Sequence, residues 1–145
     1  MQNSKIEIYT DGSCIGNPGP GGFAAMILHD GKISKIAGGE KDTTNNRMEM
    51  MAIIKALEFL HTKLKRSREE LNTTEIILYS DSNLLMQTLN LGWKRKANTD
   101  LWAEIDRLRA WLNIKWTWVK AHHTNKYNNL VDEMALAQAT KAGKF

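Results

Sequence analysis

Four carboxylates in this chain stand where apolar segments give way to polar ones: Asp11, Glu49, Asp81 and Asp132. Singly, each could be a helix cap or a solvated surface acid, because acidic side chains favour helix N-termini. Gathered in one place without matching bases, they would repel one another strongly. A divalent cation relieves that repulsion, and hard oxygen donors favour Mg²⁺ or Mn²⁺. His122 stands ten residues before Asp132 and adds a side chain able to carry a proton. A lone histidine in a loop is ordinarily just solvent-exposed, so its meaning depends on its surroundings.

Whether the acids meet depends on the elements that carry them. Lys5 to Thr10 alternates apolar and polar residues, the period of a strand that ends at Asp11. Gly12 to Gly22 holds five of the ten glycines and both prolines, and reads as a tight loop. Phe23 to Leu28 and Lys32 to Ala37 read as strands joined by a hairpin at Asp30-Gly31. Thr44-Asn45-Asn46 supplies capping chemistry for a long helix striped by Met50, Ile53, Ile54, Leu57 and Leu60, with Glu49 in its first turn. Lys63 to Thr74 reads as a charged connector and Glu75 to Ser80 as a strand. A short helix capped at Asp81-Ser82, a basic turn from Gly92 to Ala97, and a helix from Asn98-Thr99-Asp100 follow. Ile114 to Val119 reads as the last strand, and a helix from about Asn129 places Asp132 in its opening turn.

The resulting order, βββαβααβα, describes one α/β domain over residues 1–145 with a five-stranded mixed sheet. Its first three strands are antiparallel. Right-handed crossovers make the fourth and fifth strands parallel to the first, so Asp11 and Asp81 emerge at the same sheet edge. The start of the Glu49 helix and the loop that delivers His122 and Asp132 belong at that edge too.

Composition narrows the setting. The longest apolar runs are far short of a membrane span, and no signal-like apolar stretch follows Met1. Cys14 is the only cysteine, which excludes an intrachain disulfide and a thiolate zinc cluster and suits a reducing cytoplasm. Lysine and arginine number 20 against 16 acids, a net charge of +4. If four acids are taken up by cations, the remainder is 20 minus 12, or +8, which suits a polyanionic substrate.

Tyr9-Thr10-Asp11-Gly12-Ser13, followed by Gly16-Asn17-Pro18-Gly19-Pro20-Gly21-Gly22, resembles the opening motif of bacterial type 1 ribonuclease H. Thr43-Thr44-Asn45-Asn46-Arg47-Met48-Glu49 resembles that family's second motif, and Tyr79-Ser80-Asp81-Ser82 its third. Asp100-Leu101-Trp102 follows, then Trp118-Val119-Lys120-Ala121-His122 with Asp132-Glu133. The match keeps family order from Ile6 to about Ala137. The resemblance implies a ribonuclease H-like fold and an endonuclease that cuts the RNA strand of an RNA–DNA hybrid. It further implies two Mg²⁺ ions, with Mn²⁺ as an alternative, and 3′-hydroxyl and 5′-phosphate products. Asp11, Glu49, Asp81 and Asp132 match the metal ligands, and His122 matches a mobile histidine that assists proton transfer or product departure.

The resemblance also implies substrate contacts. Backbone groups of Cys14, Ile15 and Gly16, and the amides of Asn17, Asn45 and Asn46, would read 2′-hydroxyls across a wide, shallow minor groove. Asn83 occupies a similar position. Thr44 and Asn98 match a pocket for a DNA phosphate, with helix capping as the alternative role for both. Lys120 and Asn128 lie in the matching last motif. Lys94, Arg95 and Lys96 are expected to face the DNA strand, whereas Lys63, Lys65, Arg66 and Arg68 read as a solvated helix end.

Departures from the family pattern are equally specific. Asp42 stands where some relatives place a basic residue near the phosphate pocket, Ala121 replaces the usual glycine, and the loop from His123 to Lys126 differs. Asp81 and Trp102 are only 21 positions apart (102 minus 81), so the basic substrate handle of bacterial relatives is largely missing. A DNA-acting relative and a hybrid-binding module without activity are the other two readings. The asparagine set argues against the first, and the full acid set with His122 against the second. A monomer with no membrane association is expected.

Overall fold

A computed structural model describes residues 5–120 and 125–144. In chain order the elements are β1 (Ile6–Cys14), β2 (Gly19–His29), β3 (Lys32–Thr43), α1 (Asn45–Thr62), α2 (Arg68–Thr73), β4 (Ile76–Ser80), α3 (Asn83–Leu91), α4 (Thr99–Arg109), β5 (Ile114–Trp118) and α5 (Lys126–Ala142). The strands form one sheet in the order β3-β2-β1-β4-β5. β1 to β3 pair antiparallel, while β4 pairs parallel with β1 and β5 parallel with β4. The expected mixed α/β architecture is therefore present, with β1 at its centre.

Both sheet faces are covered, which explains why the strands are apolar on alternate and on successive residues alike. Ile6, Ile8, Ala25 and Ile27 pack in one core with Met50, Ile53, Leu57 and Leu60 of α1 and Trp102 and Ile105 of α4. On the other face Tyr9, Ala24 and Met26 pack with Val131 and Ala135 of α5. Each fully buried branched side chain contributes about 1.5–3 kcal/mol, so the α1 stripe holds the layer that carries Glu49 firmly.

Five expectations need correction. The glycine-rich stretch is mostly sheet: Ser13 pairs with Gly22 and Cys14 with Gly21, leaving only residues 15–18 as the turn. Its glycines allow close approach as well as turning. A Cβ at Gly22 would collide with the Ala135 carbonyl of α5, and one at Gly21 with the Thr43 methyl. Asp11 consequently lies inside β1, opposite Ala24, and does not end it.

The charged connector contains α2, fixed by a capping box in which the Ser67 hydroxyl accepts from Glu70 N at 3.1 Å and Glu70 Oε1 accepts from Ser67 N at 2.9 Å. Its arginines are not simply solvated. Arg66 donates to Asp30 Oδ1 (2.8 Å) and to Thr74 Oγ1 (3.1 Å), and Arg68 sits 4.7 Å over the Trp111 ring. Finally, α5 begins at Lys126, three residues before the expected start. Among the described residues, no helix is long and apolar enough to cross a membrane.

Candidate active site

The site grows from one glycine. A Cβ at Gly12 would overlap the backbone of Met48 and Glu49, so only glycine lets α1 begin directly against β1. Gly12 N then donates to Glu49 Oε1 at 3.0 Å. The Thr44 hydroxyl caps α1 by accepting from Arg47 N at 3.2 Å. The first turn, Asn45 to Met48, holds no acid, which places Glu49 at the start of the second turn. The other oxygen of Glu49 accepts from Ser80 Oγ at 3.4 Å, and Ser80 Oγ accepts from Ser82 N at 3.0 Å. That chain of bonds ties α1 to the end of β4, where Asp81 follows.

Asp11, Glu49 and Asp81 thereby offer three carboxylate oxygens that all lie within 4.8 Å of one another. Asp132, in the second turn of α5, lines the same cleft of about 400 Å³ without joining that tight group. Burial, then the charge of Glu49, pushes the Asp11 carboxyl far above the usual range, and Asp81 and Asp132 push the same way. Burial also raises Glu49, as does the charge of Asp81, against the opposing hydrogen bonds from Asp11, Gly12 and Ser80. The groups that perturb Asp11 most are thus desolvation and three other carboxyls, with no base among them. A set of hard, crowded oxygens of this kind fits a divalent cation, whose charge would offset their mutual repulsion.

Residues matched to substrate contacts divide into several groups. Cys14, Asn45 and Asn46 line the carboxylate cleft, and Asn17 Oδ1 accepts from Asn45 N at 3.0 Å, joining the β1–β2 turn to α1. Gly16 takes a φ of 84° in that turn, a conformation natural to glycine. The Cys14 thiol donates to the carbonyls of Thr43 (3.4 Å) and Gly19 (3.5 Å). Asn83 is exposed at the start of α3.

Asn98 precedes α4 with φ 58° and makes no side-chain cap; its Oδ1 instead accepts from Arg47 at 3.2 Å. A second cavity of about 240 Å³ is lined by Asn98, Lys94, Arg95, Lys96 and Trp102, and shares Asn46 with the carboxylate cleft. Within it Arg95 is committed: it pairs with Asp106 and lies 4.2 Å over the Trp102 ring. Lys94, Lys96 and Lys120 are exposed. Asn128 is only 2% exposed, so it lies beneath the surface and not among the accessible groups. His122 lies outside the described residues, together with Ala121, His123 and Thr124.

Two residues of the site lay beyond the sequence reading. Arg47 forms a two-pronged pair with Asp100 (3.1 and 2.8 Å), which holds the Asp100 carboxyl down at about 2 and ties the starts of α1 and α4. The Trp118 indole N–H donates to the Asp81 carbonyl at 3.2 Å. Both sit inside recognisable motifs, yet nothing local in the sequence indicates their partners.

Comparison with known proteins fits this geometry. Residues 3–140 match the family model described as RNase H. The chain is 41% identical over 144 residues to the ribonuclease H of Ehrlichia canis, covering 95% of this chain and 97% of that one. It is 43% identical over 144 residues to the ribonuclease H of Legionella pneumophila strain Lens, covering 90% and 94%. Among solved structures, LC11-RNase H1, isolated from compost, superposes with a TM-score of 0.79 at 29% identity, covering 95% and 97%. A structure of LC11-RNase H1 in complex with an RNA/DNA hybrid gives 0.77 at 28%, covering 95% and 99%. The N-terminal RNase H domain of Mycobacterium tuberculosis rv2228c, at 0.80 and 23% over 97% and 96%, shares the fold. On motif order, sheet topology and the acid cluster alike, the chain belongs to the ribonuclease H family, whose members are metal-dependent endonucleases.

Proposed function

We propose that this chain, acting as a single domain, hydrolyses the RNA strand of RNA–DNA hybrids with two divalent cations, Mg²⁺ or alternatively Mn²⁺, leaving 3′-hydroxyl and 5′-phosphate ends. The observation that carries the reading is the approach of Asp11, Glu49 and Asp81 to within 4.8 Å on a ribonuclease H scaffold. Those three, with Asp132, are the residues that would hold the ions. When bound there, such cations would supply Lewis-acid chemistry, favouring ionisation of an attacking water and offsetting the charge that develops on the departing 3′ oxygen.

The rest of the work falls to the chain itself. Gly12 N–H and Ser80 Oγ orient the Glu49 carboxylate. Asn45 and Asn46 line the cleft and Asn17 is bonded to Asn45 beside it, and amides can both donate to and accept from a 2′-hydroxyl. Asn98, held by Arg47 through its oxygen, offers its amide N–H groups to a DNA phosphate, with Lys94 and Lys96 beside it. His122 carries a proton between solvent and the scissile phosphate. The product classes follow from in-line displacement: the water oxygen bonds to phosphorus as the bond to the 3′ oxygen breaks.

The decisive assay uses end-labelled hybrid, duplex DNA and duplex RNA, each with and without Mg²⁺. Cleavage of the RNA strand of the hybrid alone, and only with metal, is the expected result. Efficient cutting of duplex DNA would favour a DNA-acting relative, and hybrid binding without cutting would leave a binding module.

A further inference from the structure

We infer that Trp118 is a positioning residue for the Asp81 carboxylate, acting through the main chain on either side of Asp81. The inference rests on the reading of Asp81 as a metal ligand. Asp81 follows the last residue of β4, outside the regular ladder, and precedes Ser82, the N-cap of α3. An acid in such a junction would ordinarily turn with its two peptide planes. Here both planes are pinned by Trp118 at the end of β5 and by Val119 just after it. Val119 N donates to the Ser80 carbonyl at 2.9 Å, before Asp81, and the Trp118 indole N–H donates to the Asp81 carbonyl at 3.2 Å, after it. Ser82 N is held in turn by Ser80 Oγ, the same hydroxyl that reaches Glu49.

The chemistry of the side chain singles out the bond and not the ring. Trp118 is 49% exposed, so it adds little to the core, whereas its neighbour in alternation, Trp116, is 6% exposed and packs within it. A large aromatic kept half in water, with its one polar atom turned inward to a backbone carbonyl, is placed for that contact. Precise placement of a metal-binding carboxylate depends on such supporting bonds as much as on the ligand itself.

The test compares Trp118→Phe and Trp118→Tyr, both of which keep a ring and lack the indole N–H, with Asp81→Asn. Mn²⁺ affinity of the hybrid-free protein is measured by calorimetry, thermal unfolding is followed in EDTA, and kcat and KM are measured across Mg²⁺ concentration. Both Trp118 variants should bind Mn²⁺ roughly three- to tenfold more weakly, the factor that one supporting hydrogen bond contributes. Their kcat should fall at low Mg²⁺ and recover at high Mg²⁺, with hybrid KM and the unfolding temperature in EDTA nearly unchanged. In the Asp81→Asn background, Trp118→Phe should weaken Mn²⁺ binding no further, because the two act as one unit. Unchanged Mn²⁺ affinity in both Trp118 variants, with Asp81→Asn weakened, overturns the inference and leaves the metal reading standing. A raised KM alone makes Trp118 a hybrid contact and also overturns it. Unchanged Mn²⁺ affinity in Asp81→Asn itself removes the metal reading and this inference together.

Discussion

Asp11 and Glu49 share one buried corner, where burial above all favours the protonated form of each carboxyl in the metal-free protein. Both carboxyls have folded pKa values above their unfolded ones, so the folded state binds more protons than the unfolded chain. Stability must then fall as pH rises from the unfolded values near 4 toward the raised ones. The exposed acids Asp30, Glu70, Asp100 and Glu104 are shifted the other way and lose their small contribution only as pH falls below about 4. Chemical denaturation in EDTA should accordingly show lower stability at pH 9 than at pH 5, and Asp11→Asn should flatten that slope. A stability that rises across this range would contradict the buried pair. Asp11→Asn and Asp81→Asn should each abolish Mg²⁺-dependent hybrid cleavage with the circular dichroism spectrum unchanged, since each removes a charge that neutralises the metals. His122→Ala should lower kcat by about 10²–10⁴-fold, the usual worth of a proton carrier, with KM steady in steady-state assays. These side chains were readable in the sequence because carboxylates and histidines announce their chemistry by type. Arg47 and Trp118 act through partners 53 and 37 positions away, and no local pattern records such pairs.

At the scale of elements, the sequence signals that succeeded are those with a local mechanism. Asp30 and Gly31 both take positive φ, 52° and 73°, as a two-residue hairpin turn requires. Thr44 and Ser82 cap α1 and α3 as their side chains suggest. The glycine-rich stretch misleads because its composition speaks for turning while much of its function is proximity. Gly21 and Gly22 are strand residues that make room for Thr43 and α5, and that need is visible only once α5 has docked. The S-x-x-E pattern of Ser67 and Glu70 could have revealed α2, but the surrounding run of charges drew it into a connector. Glu49 and Asp132 each stand one turn deeper than expected, because α1 starts at Asn45 and α5 at Lys126. Gly12 tests the most consequential of these close approaches. Gly12→Ala should push α1 away from β1, lowering stability by about 1–3 kcal/mol as overpacking does. It should also cut kcat by more than Mg²⁺ can restore, because Glu49 moves with the helix. Urea unfolding and a Mg²⁺ titration of activity measure the two effects. Near-normal kcat in a destabilised variant would show that Glu49 is placed independently of that contact.

Across the whole molecule, the question is which positive charge the hybrid meets. The excess of 20 basic over 16 acidic residues is modest, so location matters more than total. From Glu49 to the end of α1 at Thr62 is 13 residues, or about 20 Å of helix, which carries the chain to the opposite end of the sheet. Lys63 and Lys65 sit there, while Arg66 and Arg68 are engaged with Asp30 and Trp111. Lys94 and Lys96 line the cavity that shares Asn46 with the carboxylate cleft. Arg95, between them, is occupied by Asp106 and Trp102 and serves to hold the turn in place. The double variant Lys94→Gln, Lys96→Gln should raise hybrid KM several-fold with kcat steady, as weaker uniform binding does. It should reduce the slope of log affinity against log salt by roughly 0.7–0.9 for each phosphate left without its lysine. Arg95→Gln should instead lower the unfolding temperature and change the salt slope less, since its charge is already paired. Lys63→Gln with Lys65→Gln should leave both quantities near the starting values. Fluorescence anisotropy with a labelled hybrid across salt concentration separates these outcomes. A larger slope change from the Lys63 and Lys65 pair would mean that the hybrid runs along α1 to the far end of the sheet.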